Sequence, residues 1–213
     1  MNAWRPEKCH NQTMPTNEQQ DVPQQHRRGR LQRGPSPTGY SVATFSDVLK
    51  RHGVTMGCLA VICMMIPGTL HTIATTSTRL IQQPTPYMAG LLGLLVFFSY
   101  WSARRPVSAT WQTQWILYLL FISIVEELTF RLILPSLLSQ HFSWPIANIL
   151  SNLLFACIHY ITLRWKVRNC IATFLGGMGL SQLMTHGDLA MVVMIHWLGT
   201  FLNTPFPPAE RKV

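Results

Sequence analysis

The sequence predicts an all-α fold: a polytopic membrane helical bundle of about six transmembrane helices. Three observations carry that expectation. Charged residues make up only 12% of the 213 positions and hydrophobic ones 48%. Apolar runs near the roughly 20 residues that a bilayer span needs recur along the chain. The basic residues between those runs fall in alternate loops.

The runs lie at about 54–75, 87–101, 115–138, 144–163, 169–184 and 189–203. The second and sixth are short and need tilt or support from neighbours. Arg104 and Arg105 follow the second run, Arg164, Lys166 and Arg168 the fourth, and Arg211 and Lys212 the sixth. A basic arm precedes the first. The intervening loops hold only Arg79. Positive charge gathers on the cytoplasmic side, so both termini are expected in the cytoplasm. Trp101, Trp115, Trp144 and Trp165 stand near run ends, where indole rings anchor at the interface. Short loops between the later runs predict consecutive antiparallel neighbours.

Residues 1–50 read as a disordered, basic cytoplasmic arm, rich in Pro, Gln, Asn and Arg and poor in aliphatic residues. No apolar core within it suits a signal peptide. Residues 51–205 form the transmembrane domain and 206–213 a short tail. The net charge of +9 raises the question of nucleic acid. The excess flanks apolar runs, and HRRGRLQR (26–33) reads as a lipid-facing segment, so the expected partner is the bilayer and not nucleic acid. Five cysteines (Cys9, Cys58, Cys63, Cys157, Cys170) with no CxxC predict neither a disulfide framework nor a zinc knuckle.

The third run contains what such a run should lack. Glu126, Glu127 and Arg131 lie inside WILYLLFISIVEELTFRLILPSLL (115–138). A charge at membrane depth costs on the order of 3 kcal/mol on insertion scales. Glu127 and Arg131 are four apart with the acid first, the favourable order for a helical ion pair. Glu126 points about 100° away around the helix and is left as the unpaired acid. On the fourth run, Asn148, Asn152, Phe155 and His159 share one face. On the sixth, His196, Thr200 and Asn203 do so. One histidine on an apolar helix is more often a packing residue than a catalyst. Two of them with an unpaired glutamate, on three helices of a small bundle, point to function.

An acid and two imidazoles can activate water by general base catalysis, with polar neighbours holding the oxyanion. Glu126, His159 and His196 also make a zinc-type ligand set, although no HExxH accompanies them. A proton or ion relay would use the same groups. Ser123 has no motif around it that would make it a nucleophile.

EELTFR (126–131) fits EExxxR, and FACIH (155–159) fits FxxxH, each on its own helix and in that order, with His196 on a later helix. Over about residues 115–203 the chain resembles the CPBP family of intramembrane proteases, which includes the CAAX prenyl endopeptidases and the bacterial Abi proteins. The resemblance implies an intramembrane endopeptidase of the cell inner (plasma) membrane. Its substrate would be a membrane protein or a C-terminal sorting tail. It gives Glu126 the role of base and Arg131 that of holding Glu127. His159 and His196 would place the water or polarise the scissile carbonyl. No cofactor is favoured, since Glu126 can act without one; a zinc version would use Glu126, His159 and His196. The family's third motif, HxxxN, is altered: HWLGT (196–200) puts Thr200 in the Asn place. Thr200, Asn203, Asn152 or Asn148 would then supply the oxyanion donor. A non-catalytic binding or immunity protein on the same scaffold is the alternative.

Overall fold

The structure, a computed structural model, describes residues 42, 44–104 and 107–208. Most of the arm expected over 1–50 therefore lies outside the described residues, and so do Arg105 and the last five residues of the tail.

Helix α1 (Phe45–Met64) begins earlier than the apolar run indicates, inside the stretch assigned to the arm. Its start is a capping box. The Thr44 hydroxyl accepts from the Asp47 backbone N–H, and the Asp47 carboxylate accepts from that of Thr44 (both 3.2 Å). Residues Leu49–Gly53 of α1 form a π segment. The first apolar run is also not one helix. Pro67 has no N–H to continue the ladder, and Gly68 takes a left-handed φ of 87°. The chain turns by 101° there into α2 (Thr69–Thr76).

Helices α3 (Thr78–Gln82) and α4 (Pro84–Ala103) follow. Helix α5 runs through Ala109–Glu127, a second π segment at Leu128–Ile133, and Leu134–Leu138. Helices α6 (Trp144–Thr162), α7 (Val167–His186) and α8 (Leu189–Asn203) complete the described chain. No strand occurs among the described residues.

Helices occupy all six predicted positions, but the expected count of spans is only partly met. Helices α4 and α6 are long and apolar enough to cross a membrane, and the bent pair α1–α2 makes a third if it is one crossing. Helix α8 is apolar but shorter. Polar residues dilute α5 (Gln112, Gln114, Glu126, Glu127) and α7 (Asn169, Ser181, Gln182). Gln112, Glu126, Glu127, Asn169 and Ser181 among them are buried, so they matter for what the helices enclose.

The core gathers around α5. Helix α8 packs along it through Trp197, whose indole N–H donates to the Ile116 carbonyl (3.0 Å). Phe98 of α4 closes on Trp197 and Phe201, with ring centroids 4.7 and 4.5 Å away. Helix α1 reaches α5 at Gly53, where a Cβ would stand 3.2 Å from the Tyr118 ring. Asp188 secures the start of α8: it accepts from Met191 N (3.0 Å) and from the Tyr87 hydroxyl (2.6 Å).

Candidate active site

Glu126, Glu127 and Arg131 are all fully buried. They sit where α5 changes from α to π geometry. The cause lies partly at Pro135. In the π ladder the Leu134 N–H bonds back to the Thr129 carbonyl. The next step would be from residue 135 to Phe130, and proline has no hydrogen to give. The Ser151 hydroxyl of α6 donates to that Phe130 carbonyl instead, at 2.6 Å. The irregular turn is thus tied to the neighbouring helix. Single π segments inside α-helices recur at functional sites, and both of those described here flank this one.

Arg131 Nε lies 3.5 Å from Glu127 Oε2, the i,i+4 pair that the spacing predicts. Its guanidinium lies over the Phe155 ring, 3.9 Å from the centroid, a cation–π contact in a desolvated place. Gly177 of α7 makes room for this arrangement. A Cβ there would meet Arg131 Nη2 at 2.9 Å and collide with the Asn152 amide oxygen.

Glu126 is not the unpaired acid of the sequence reading. Three imidazoles surround its carboxylate. His52 Nε2 is 2.9 Å and His159 Nε2 3.4 Å from Oε1, and His196 Nε2 is 3.5 Å from Oε2. The other nitrogen of each ring is held. His159 Nδ1 lies 2.9 Å from the Phe155 carbonyl; a carbonyl only accepts, so Nδ1 carries the hydrogen and Nε2 faces the acid. His196 Nδ1 contacts Glu127 Oε1, so this ring bridges the two glutamates. Arg131 and His196 together engage Glu127, while Glu126 keeps its carboxylate toward a cavity of about 340 Å³.

That cavity is polar at this end, with His52, Glu126, Arg131, His159, His196 and Thr200 in its wall. Trp115, Tyr118, Leu119, Ile122, Leu163 and Trp165 make much of the rest apolar. Trp165 stacks obliquely on His159 at 4.9 Å. The chain reaches it through Arg164, which adopts a left-handed φ of 55°.

The expected oxyanion donors are placed unequally. Thr200 and Asn203 line the cavity. Asn152 does not, and its amide N–H groups donate to the Asn148 carbonyl (2.9 Å) and to Ser181 Oγ (2.8 Å). Ser123 donates to the Leu119 carbonyl (2.9 Å) inside its own helix, which agrees with setting it aside.

His52 is the residue that sequence reasoning missed. It lies two positions before the apolar run expected to open the domain, in KRHG, and so reads as the end of a basic flank. Its partners are 74 and 110 residues away. The one local hint was the capping box at Thr44–Asp47, which carries the helix back over His52. His52 also changes the ligand set expected for a metal. His52, Glu126 and His159, rather than Glu126 with His159 and His196, offer ligand atoms within 4.8 Å of one another. Two imidazoles and a carboxylate suit zinc, so the residues fit such an ion.

Helices long and apolar enough for the bilayer, around a buried carboxylate and imidazoles that open on a cavity, define a membrane protein with a site suited to hydrolysis. Residues 108–202 match the family model described as Rce1-like, type II CAAX prenyl endopeptidase Rce1-like, the family group that the motifs resemble. Neither the curated proteins nor the solved structures provide a significant match.

Proposed function

We propose that the protein is an intramembrane endopeptidase that hydrolyses a peptide bond of a membrane-anchored or C-terminally tagged protein. The observation that carries this reading is the buried Glu126 carboxylate, ringed by imidazoles and turned toward a cavity. Glu126 takes a proton from a water while the water oxygen attacks the scissile carbonyl carbon. The charge that develops on the carbonyl oxygen is held by hydrogen-bond donors in the wall, with Thr200 at hand; Asn203 also lines the cavity but already donates to the Gly199 carbonyl (2.9 Å). As the C–N bond breaks, Glu126 returns the proton to the leaving amine. His159 Nε2 and His196 Nε2 orient the water and carbonyl. Arg131 neutralises Glu127 and so keeps a second bare carboxylate out of the site.

The compact donor set supports a second version of the same reaction. His52, Glu126 and His159 would hold a zinc ion, which when bound lowers the pKa of water and polarises a carbonyl. Six crossings with both termini in the cytoplasm of the inner membrane remain the topology that the loop charges support.

The test uses the purified protein in liposomes, with a prenylated C-terminal CAAX peptide and, separately, a single-span protein bearing a C-terminal tail. Wild type is expected to cleave at least one of them. Glu126→Gln should lower kcat by about 10²–10⁴-fold, the usual worth of a general base, while inserting normally. Wild-type rates in Glu126→Gln would overturn the hydrolase reading and favour the non-catalytic scaffold. Cleavage that survives exhaustive chelation would remove the zinc version; loss restored by added zinc would establish it.

A further inference from the structure

We propose that His52 is a positioning residue for Glu126, so that helix α1, which lies outside the residues matched by the family model, completes the active centre. The inference rests on the hydrolase reading and deepens it.

Four observations converge on this ring. First, His52 makes the shortest imidazole contact to Glu126: 2.9 Å, against 3.4 Å for His159 and 3.5 Å for His196. Second, the ring is braced from behind. Its Nδ1 lies 2.9 Å from Thr162 Oγ1 of α6. The Thr162 hydroxyl has one hydrogen, and that hydrogen is given to the Ile158 carbonyl at 2.7 Å. Thr162 therefore accepts from His52, and Nδ1 carries a hydrogen; the Glu126 carboxylate also only accepts, so the 2.9 Å contact is made by a second hydrogen, on Nε2. Third, the backbone is shaped to bring the ring there. His52 sits in the π segment Leu49–Gly53, and Gly53 lets α1 approach Tyr118 of α5. Fourth, His52 lies in the cavity wall beside Glu126, so it is not simply a core histidine with its polar atoms satisfied.

The consequence is mechanical. A glutamate side chain turns about several bonds, and a base that wanders loses rate. His52 fixes Oε1, and the chain Ile158–Thr162–His52 fixes His52. The carboxylate is then presented to the cavity in one orientation.

The test compares His52→Ala, His52→Gln, Thr162→Val and Thr162→Ser in the liposome assay, with Glu126→Gln as the zero. His52→Ala is expected to lower kcat by about 10- to 100-fold, as outer-sphere partners usually do, with KM little changed. His52→Gln, whose amide N–H can replace Nε2, should recover part of the loss. Thr162→Ser, which keeps the hydroxyl, should retain more activity than Thr162→Val. The double variant His52→Ala/Thr162→Val should be no slower than His52→Ala alone, because the two residues act in one chain.

A second measurement needs no turnover. The imidazole ¹⁵N spectrum of the protein in detergent should show His52 with hydrogen on Nδ1 in wild type, and this signature should be lost in Thr162→Val. It also serves if His52→Ala does not fold. Cleavage lost in Glu126→Gln but intact in His52→Ala would overturn the His52 proposal alone. So would a wild-type His52 with a bare Nδ1. Cleavage intact in Glu126→Gln would sink the hydrolase reading, and this proposal with it.

Discussion

Helices α4 and α6 are nearly twins as sequences: 20 and 19 residues, with the same mean hydropathy. In the fold they are opposites. Almost none of α4 is buried, whereas close to half of α6 is. Leu92 and Val96 of α4 stand exposed on an apolar surface. In α6 one stripe holds Asn148, Ser151, Asn152, Phe155 and His159, all buried, while Ile149, Leu153 and Ile161 face outward. Hydropathy tells how well a helix suits lipid; it does not tell which helix builds the interior. In a membrane protein the apolar side chain gains nothing from leaving lipid. What marks the interior face is the residue that lipid cannot satisfy. Helix α6 carries such residues every three or four positions, and most of α4 carries none.

That contrast can be broken at its strongest point. Phe155 is 2% exposed and lies under Arg131, against Phe130 and beside His159, with centroid distances of 5.3 and 4.5 Å to those two rings. Phe155→Ala removes a large core side chain and uncovers a buried guanidinium. The expected loss is about 3–5 kcal/mol of stability in a denaturant titration in detergent. A loss under about 1 kcal/mol, small for a core Phe→Ala change, would mean that α6 is not an interior wall. Ser151→Ala is a finer probe. It leaves the Phe130 carbonyl without its donor, next to a proline that cannot help. The expected loss is about 1–3 kcal/mol, with cleavage lowered as well, because the π segment carries Arg131. Unchanged stability would show that the π segment does not need its tie to α6.

The same asymmetry explains what could be read in the sequence. Glu126, Glu127, Arg131, His159 and His196 were legible because each violates an apolar run, and the helical period places them. The Glu127–Arg131 pair is local and needed only spacing. His52 was illegible for the opposite reason: among Lys50, Arg51 and Gly53 a histidine violates nothing. Only the fold reveals that it points inward. The break at Pro67–Gly68 was written in the chain, but a continuous apolar run overrode it, since hydropathy averages over a turn. The commitment of Asn152 to Ser181 spans 29 residues, and no local pattern reports it. The π segments leave no trace in periodicity, though Pro135 explains why one of them needs Ser151.

The mildest substitution tests the other twin. Leu92 of α4 is 63% exposed, on a helix that reaches the core at Phe98. In a soluble protein an exposed leucine in this setting would be an aggregation hazard. On a helix that crosses a bilayer it would meet acyl chains, which are as apolar as itself. Leu92→Ala deletes contacts with lipid, which closes over the gap at little cost. It should change stability by less than about 0.5 kcal/mol and leave cleavage of the liposome substrates at the wild-type rate. A loss approaching that of Phe155→Ala would mean that the outer face of α4 is covered by protein rather than lipid. The difference between the twins would then be one of partner, a second chain in place of the bilayer, and not of burial.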